Sequence, residues 1–158
     1  MNPVIFLDID GVLNSADWLR RGWMADMDDI GATRHFNPEA GARLNRVIKA
    51  TSCELVISST WRITHSCKWI QRTLRRRGVP RARVIGKTPG GGGFRGPQIQ
   101  DWLDSHEPRR FAILDDSDDM TDALYHRLIR TTWERGLQDE HVGPLIAMLE
   151  KPTSVRPP

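Results

Sequence analysis

The sequence predicts an α/β domain, a three-layer sandwich around a mostly parallel sheet of about five strands. Three observations lead there. Short, continuous apolar runs of strand length alternate with longer segments of helical period. The runs lack polar alternation, as expected of strands covered on both faces. No repeat or linker divides the chain, so residues 1–151 are read as one domain with a Pro-rich tail over 152–158.

Val4-Ile5-Phe6-Leu7 is the first strand, and a polar, Trp-containing stretch from Asn14 to Phe36 follows it. Asn37-Pro38-Glu39 then places an N-cap, a proline at the first helical position and an acid in the first turn. Ala40, Leu44, Val47 and Ile48 continue that helix, and Leu55-Val56-Ile57 is the second strand. Trp69, Ile70 and Leu74 mark a helix stopped by Gly78 and Pro80, before a short third strand at Val84-Ile85. A loop with four consecutive glycines, Gly90 to Gly93, leads to a helix starting near Pro97 and carrying Ile99, Trp102 and Leu103. Phe111 to Leu114 is the fourth strand, Leu128-Ile129 with Thr131 the fifth, and Val142, Leu145, Ile146 and Leu149 mark the last helix.

The chain has 158 residues, enough to bury roughly two-thirds of its unfolded surface. No apolar run approaches the ~20 residues of a membrane span, and the N-terminus lacks the charged and apolar regions of a signal peptide. The expectation is a cytosolic protein without a membrane partner. Cys53 and Cys67 have neither disulfide-framework nor metal-ligand spacing. His35, His65, His106, His126 and His141 share no ligand spacing either, so none is assigned to a metal.

Charge is unevenly spread. Leu55 to Gln100 holds ten of the 23 Lys and Arg residues and none of the 20 acids. A cationic middle between acidic ends fits an anionic partner, or an Arg-rich solvated helix face.

Ligands of open parallel sheets bind beyond the carboxyl ends of the strands. Polar clusters follow three of the apolar runs: Asp8-Ile9-Asp10-Gly11, Ser58-Ser59-Thr60, and Asp115-Asp116-Ser117-Asp118-Asp119. Neighbouring carboxylates repel one another unless a cation intervenes. A few hard oxygen ligands favour Mg²⁺ completed by water and a substrate phosphate. Gly11 lets the chain turn at once, freeing Asp10 to face the same centre as Asp8. Gly90–Gly93 is not a nucleotide-binding P-loop, because no Gly-Lys-Ser/Thr follows it.

Val4-Ile-Phe-Leu-Asp-Ile-Asp-Gly-Val-Leu13 resembles the first motif of the haloacid-dehalogenase (HAD) superfamily of phosphohydrolases. Leu55-Val-Ile-Ser58 resembles the second motif, and Phe111-Ala-Ile-Leu-Asp-Asp116 the fourth. Ser58-Ser-Thr-Trp-Arg62 and Gly136-Leu137 are similar to the small HAD domain of Swiss-army-knife RNA repair proteins. The resemblance implies a HAD-like Rossmannoid fold, essentially capless, with residues 14–36 as a small flap. It implies Asp8 as nucleophile forming an aspartyl-phosphate, Asp10 as general acid and base, and Ser58 as a phosphate donor. Asp115 and Asp116, with Asp8 and the backbone carbonyl of Asp10, would hold Mg²⁺, and Asp119 is a further candidate.

The third motif calls for a Lys or Arg beside the nucleophile; Arg95 is favoured over Lys87. Ser59, Arg62, Lys87, Trp18 and Arg20 are candidate substrate contacts, with Trp18 or Trp23 stacking on a base or packing the flap. Trp61 lines the entrance or belongs to the core. The expected activity is Mg²⁺-dependent phosphomonoester hydrolysis on nucleoside monophosphates or nucleic-acid ends. The alternatives are an unrelated small phosphometabolite as substrate, or a non-catalytic nucleic-acid-binding module.

Overall fold

The structure is a computed structural model that describes residues 1–25 and 35–151, with side chains throughout except at 22–25. Part of the expected flap (26–34), the Trp23 side chain and the tail (152–158) therefore lie outside the described residues. Five strands form one sheet: β1 (Val4–Leu7), β2 (Glu54–Ile57), β3 (Val84–Lys87), β4 (Phe111–Asp115) and β5 (Leu128–Arg130). All pairings are parallel and the order is β3-β2-β1-β4-β5. The α/β class and the sheet are as the apolar runs predict.

β1 lies at the centre, with Leu7 in register with Ile57 of β2 and Leu114 of β4. Successive side chains of a strand face opposite ways. Ile5 and Leu7 enter one core with Leu44, Val47, Leu74, Leu145 and Leu149. Val4 and Phe6 enter another with Ile99, Trp102, Phe111 and Leu124. Both faces of the sheet are thus covered, which is why these strands read as unbroken apolar runs. The connections run outward from β1 through β2 to β3, then return to place β4 on the other side of β1. The crevice between the ends of β1 and β4 is the switch point of the sheet.

The helices are α1 (Ala16–Ala25), α2 (Pro38–Thr51), α3 (Trp61–Thr64), α4 (Cys67–Arg76), α5 (Arg95–His106) and α6 (Asp139–Glu150). α2 begins as its sequence predicts, with the Asn37 side chain accepting the Glu39 N–H. Three helices depart from expectation, among them the short α3, which follows β2 where the sequence reading placed no helix. Residues 16–25 of the flap segment are helical, and Ser15 accepts the Trp18 N–H across the first turn of α1. α5 starts at Arg95, two residues ahead of Pro97, because Asp119 captures its free end. The Asp119 carboxylate accepts the Arg95 N–H and its carbonyl accepts the Gly96 N–H, each at 3.0 Å. Pro97 sits harmlessly in a first turn whose N–H groups have no helical partner. No described helix is long and apolar enough to cross a membrane.

Candidate active site

Backbone pairing continues one residue beyond β1, β2 and β3 and at the end of β5, and aligns a row of polar side chains. Asp8 donates its N–H to Leu114, Ser58 to Leu7, Thr88 to Ile57, and Thr131 to Asp115, each at 3.0 Å. Past Asp8 the chain folds sharply, with Ile9 O accepting the N–H groups of Val12 and Leu13. Gly11 takes the left-handed conformation at φ 80°, and a Cβ there would lie 2.2 Å from the Asp116 carboxylate. Backbone geometry and space for Asp116 both require glycine at this position. The turn is tied down by Asn14, which accepts the Gly11 N–H at 3.0 Å and donates to Asp10 Oδ1 at 2.7 Å. Thr131 Oγ1 donates to the Gly11 carbonyl at 2.6 Å.

The acids of β1 and β4 converge here. One carboxylate oxygen each from Asp8, Asp115 and Asp116 lies within 4.8 Å of the others. Asp8 and Asp115 are buried, at 4% and 0% exposure. Arg95 enters from the first turn of α5, its Nη1 2.8 Å from Asp8 Oδ1 and 2.5 Å from Asp115 Oδ2. Gly96 makes that approach possible, since a Cβ would fall 2.6 Å from the Thr121 backbone nitrogen. The other Asp115 oxygen accepts the Ser117 N–H.

One guanidinium does not balance three carboxylates. Burial first, and then the charge of Asp115, push the Asp8 carboxyl up to about 8 against the opposing pull of Arg95. Burial likewise raises Asp115, again opposed by Arg95. Burial works against the charge of Arg95, but Asp8 and Asp115 more than offset it and hold the guanidinium protonated. Three hard oxygens around an excess of negative charge could hold a divalent cation.

Ser58, at the end of β2, is fully buried and its hydroxyl has no hydrogen-bond partner. The Thr88 hydroxyl, one strand over, is in the same condition. A buried hydroxyl without a partner is costly, and an oxygen-rich ligand reaching it would supply one.

Asp10 stands apart from the three-carboxylate cluster. Its Oδ1 accepts from Asn14 and its Oδ2 accepts the Trp61 indole N–H at 3.0 Å. Trp61, left between entrance and core by the sequence, is half-buried with a polar task. The sequence reading gives Asn14 no role and does not pair Trp61 with Asp10, though both lie close to the polar clusters. Asp119 caps α5 instead of joining the acid cluster.

Several expected substrate contacts are engaged elsewhere. Arg62 is 3% exposed and all five of its N–H groups are used. They donate to the carbonyls of Thr88, Ser58, Ser59 and Gly90 and to Gln98 Oε1. Its charge is dissolved in backbone dipoles, so Arg62 braces the ends of β2 and β3 and has no donor left for a substrate. Ser59 is buried and caps α3 by accepting the Trp61 N–H. Lys87 donates to the Arg62 carbonyl, so Arg95 is the cation at Asp8. Arg20 is exposed and paired with Asp17 and Glu134. Trp18 is half-buried on α1.

A parallel sheet in the order 3-2-1-4-5, with acids ending β1 and β4 and an arginine between them, is the arrangement of the HAD-like Rossmannoid class. Residues 4–142 match the family model described as the HAD domain in Swiss Army Knife RNA repair proteins, and the chain belongs to that family. Membership suggests a phosphohydrolase with a nucleic-acid-related substrate. No curated protein and no solved structure gives a significant match.

Proposed function

We propose that the protein is a Mg²⁺-dependent phosphomonoesterase that works through an aspartyl-phosphate on Asp8 and acts on nucleoside monophosphates or terminal phosphates of nucleic acid. The observation that carries this reading is the buried Asp8 carboxylate, held by Arg95 at the switch point beside Asp115 and Asp116. Asp8, Asp115 and Asp116 would hold Mg²⁺, which supplies charge neutralisation for the transferring phosphoryl group.

The remaining roles fall to side chains already in place. Arg95 and the Ser58 hydroxyl orient the phosphoryl oxygens, and the Ser58 donor then has the acceptor it lacks. An Asp8 oxygen attacks phosphorus, and the phosphorus–oxygen bond to the leaving alcohol breaks. Asp10 gives that oxygen its proton. A water molecule then attacks the aspartyl-phosphate, gives its proton to Asp10, and releases inorganic phosphate and the Asp8 carboxylate. Asn14 and Trp61 keep Asp10 aimed through both half-reactions.

Purified protein with Mg²⁺ would be tested on nucleoside monophosphates, 5′- and 3′-phosphorylated oligonucleotides and sugar phosphates, with Asp8→Asn as blank. Phosphate release from nucleotides or nucleic-acid ends, absent in the blank, is the expected result. Release confined to sugar phosphates would keep the chemistry and overturn the substrate.

A further inference from the structure

The acid-free basic stretch of the sequence becomes a surface in the fold. Lys68, Arg72, Arg75 and Arg76 line one shallow groove with Gln71 along α4. Their spacing stacks them on the outer face of the helix, while Ile70, Thr73 and Leu74 face the core. No acid occupies the first turn of α4. Among the described residues, none of these four cations joins an ion pair, and the Arg75 Nε donates only to the Ala82 carbonyl. Lys68/Arg72 and Arg72/Arg76 are like-charge pairs four residues apart, an arrangement that weakens a helix. Repulsive pairs with no counter-charge among the described residues fit an external polyanion.

The groove is joined to the acid site through aromatic rings. Trp61, whose indole bonds to Asp10, stacks on His65 with ring centres 5.0 Å apart. His65 in turn packs on Trp69 at 4.1 Å. Trp69 belongs to the first turn of α4, three residues before Arg72, so its surface continues into the basic face.

We propose that this face of α4 docks the phosphodiester backbone of a nucleic-acid strand, without regard to sequence, and leads its end toward Asp8. The second half of the statement rests on the phosphatase reading; the docking does not.

The test pairs two measurements on wild type, Arg72→Glu/Arg76→Glu and the milder Arg72→Gln/Arg76→Gln. Fluorescence anisotropy with a labelled single-stranded oligonucleotide reads docking across a salt series, and hydrolysis of p-nitrophenyl phosphate reads the acid site alone. The charge-reversed protein should bind at least about tenfold more weakly, and neutralising two phosphate contacts should flatten the log–log salt slope by about 1.4. The glutamine pair should move both in the same direction, with hydrolysis unchanged in both variants. Unaltered affinity and slope would overturn the docking surface. So would displacement of the oligonucleotide by poly-glutamate at equal charge, which would assign the face to an acidic protein. If wild type binds as expected but releases phosphate from neither the small ester nor nucleotides and phosphorylated oligonucleotides, the phosphatase reading fails and the surface stands.

Discussion

Asp10 owes its position to two neutral donors from different elements, Asn14 in the turn after β1 and Trp61 at the start of α3. Both are neutral donors, and together they fix the direction of the carboxyl. Trp61→Phe keeps the ring contacts with His65 and Phe36 and removes only the N–H. A lost hydrogen bond of about 1.4 kcal/mol would lower kcat about tenfold. KM for a small phosphomonoester should hold, because Arg95 and Ser58 are untouched. An unchanged kcat would contradict the role assigned to Trp61. Asn14 and Trp61 also show where residue-scale reading of a sequence stops. The acids and Ser58 were legible because polar clusters after apolar runs are conspicuous. An indole N–H that reaches an acid fifty-one positions earlier leaves no local mark. Arg62 departs from a substrate contact for a related reason: four carbonyls and one side-chain amide from distant positions satisfy its buried charge.

At the scale of elements, Arg62 joins the start of α3 to the loop after β3 and to α5. Replacing it by methionine would keep bulk and strand those acceptors in a buried site. The cost should be about 3 kcal/mol, measured by urea unfolding. A loss below about 1 kcal/mol would show that water replaces the guanidinium. α6 carries its own signature at its N-terminus, where His141 Nδ1 accepts the Gln138 N–H. Burial first, only partly opposed by Glu140, pulls the His141 pKa below its ordinary value. The unfolded chain therefore takes up this proton at a higher pH than the folded one, and stability falls as pH drops through about 6.5. His141→Gln retains an acceptor that does not titrate. Its melting temperature should lose less than that of wild type between about pH 7 and pH 5. Equal losses would exclude His141 as a source of the slope. The strands were readable at this scale since both faces of the sheet are buried. α1 was missed because its polar composition resembles a loop, and the early start of α5 because its capping acid, Asp119, comes twenty-four residues later.

Over the whole molecule, charge is divided between two functions. Carboxylates from the ends of β1 and β4 gather at the switch point of the sheet, and cations without an ion pair among the described residues gather on α4. The aromatic contact from Trp61 through His65 to Trp69 joins them. This division was visible in the sequence as an acid-free stretch, but only the fold places its cations on one face. The proposed chemistry centres on Asp8, whose buried carboxyl is raised to about 8 with no metal ion bound and would be offered to phosphorus with one in place. The decisive measurement is transfer of a radiolabelled phosphoryl group from an oligonucleotide terminus to the protein, followed by acid quenching and mapping of the label. With Mg²⁺, wild type should carry acid-stable, hydroxylamine-labile label on the peptide containing Asp8, and neither Asp8→Asn nor metal-free protein should carry any. Undiminished phosphate release by Asp8→Asn, or label mapped to another residue, would contradict the account.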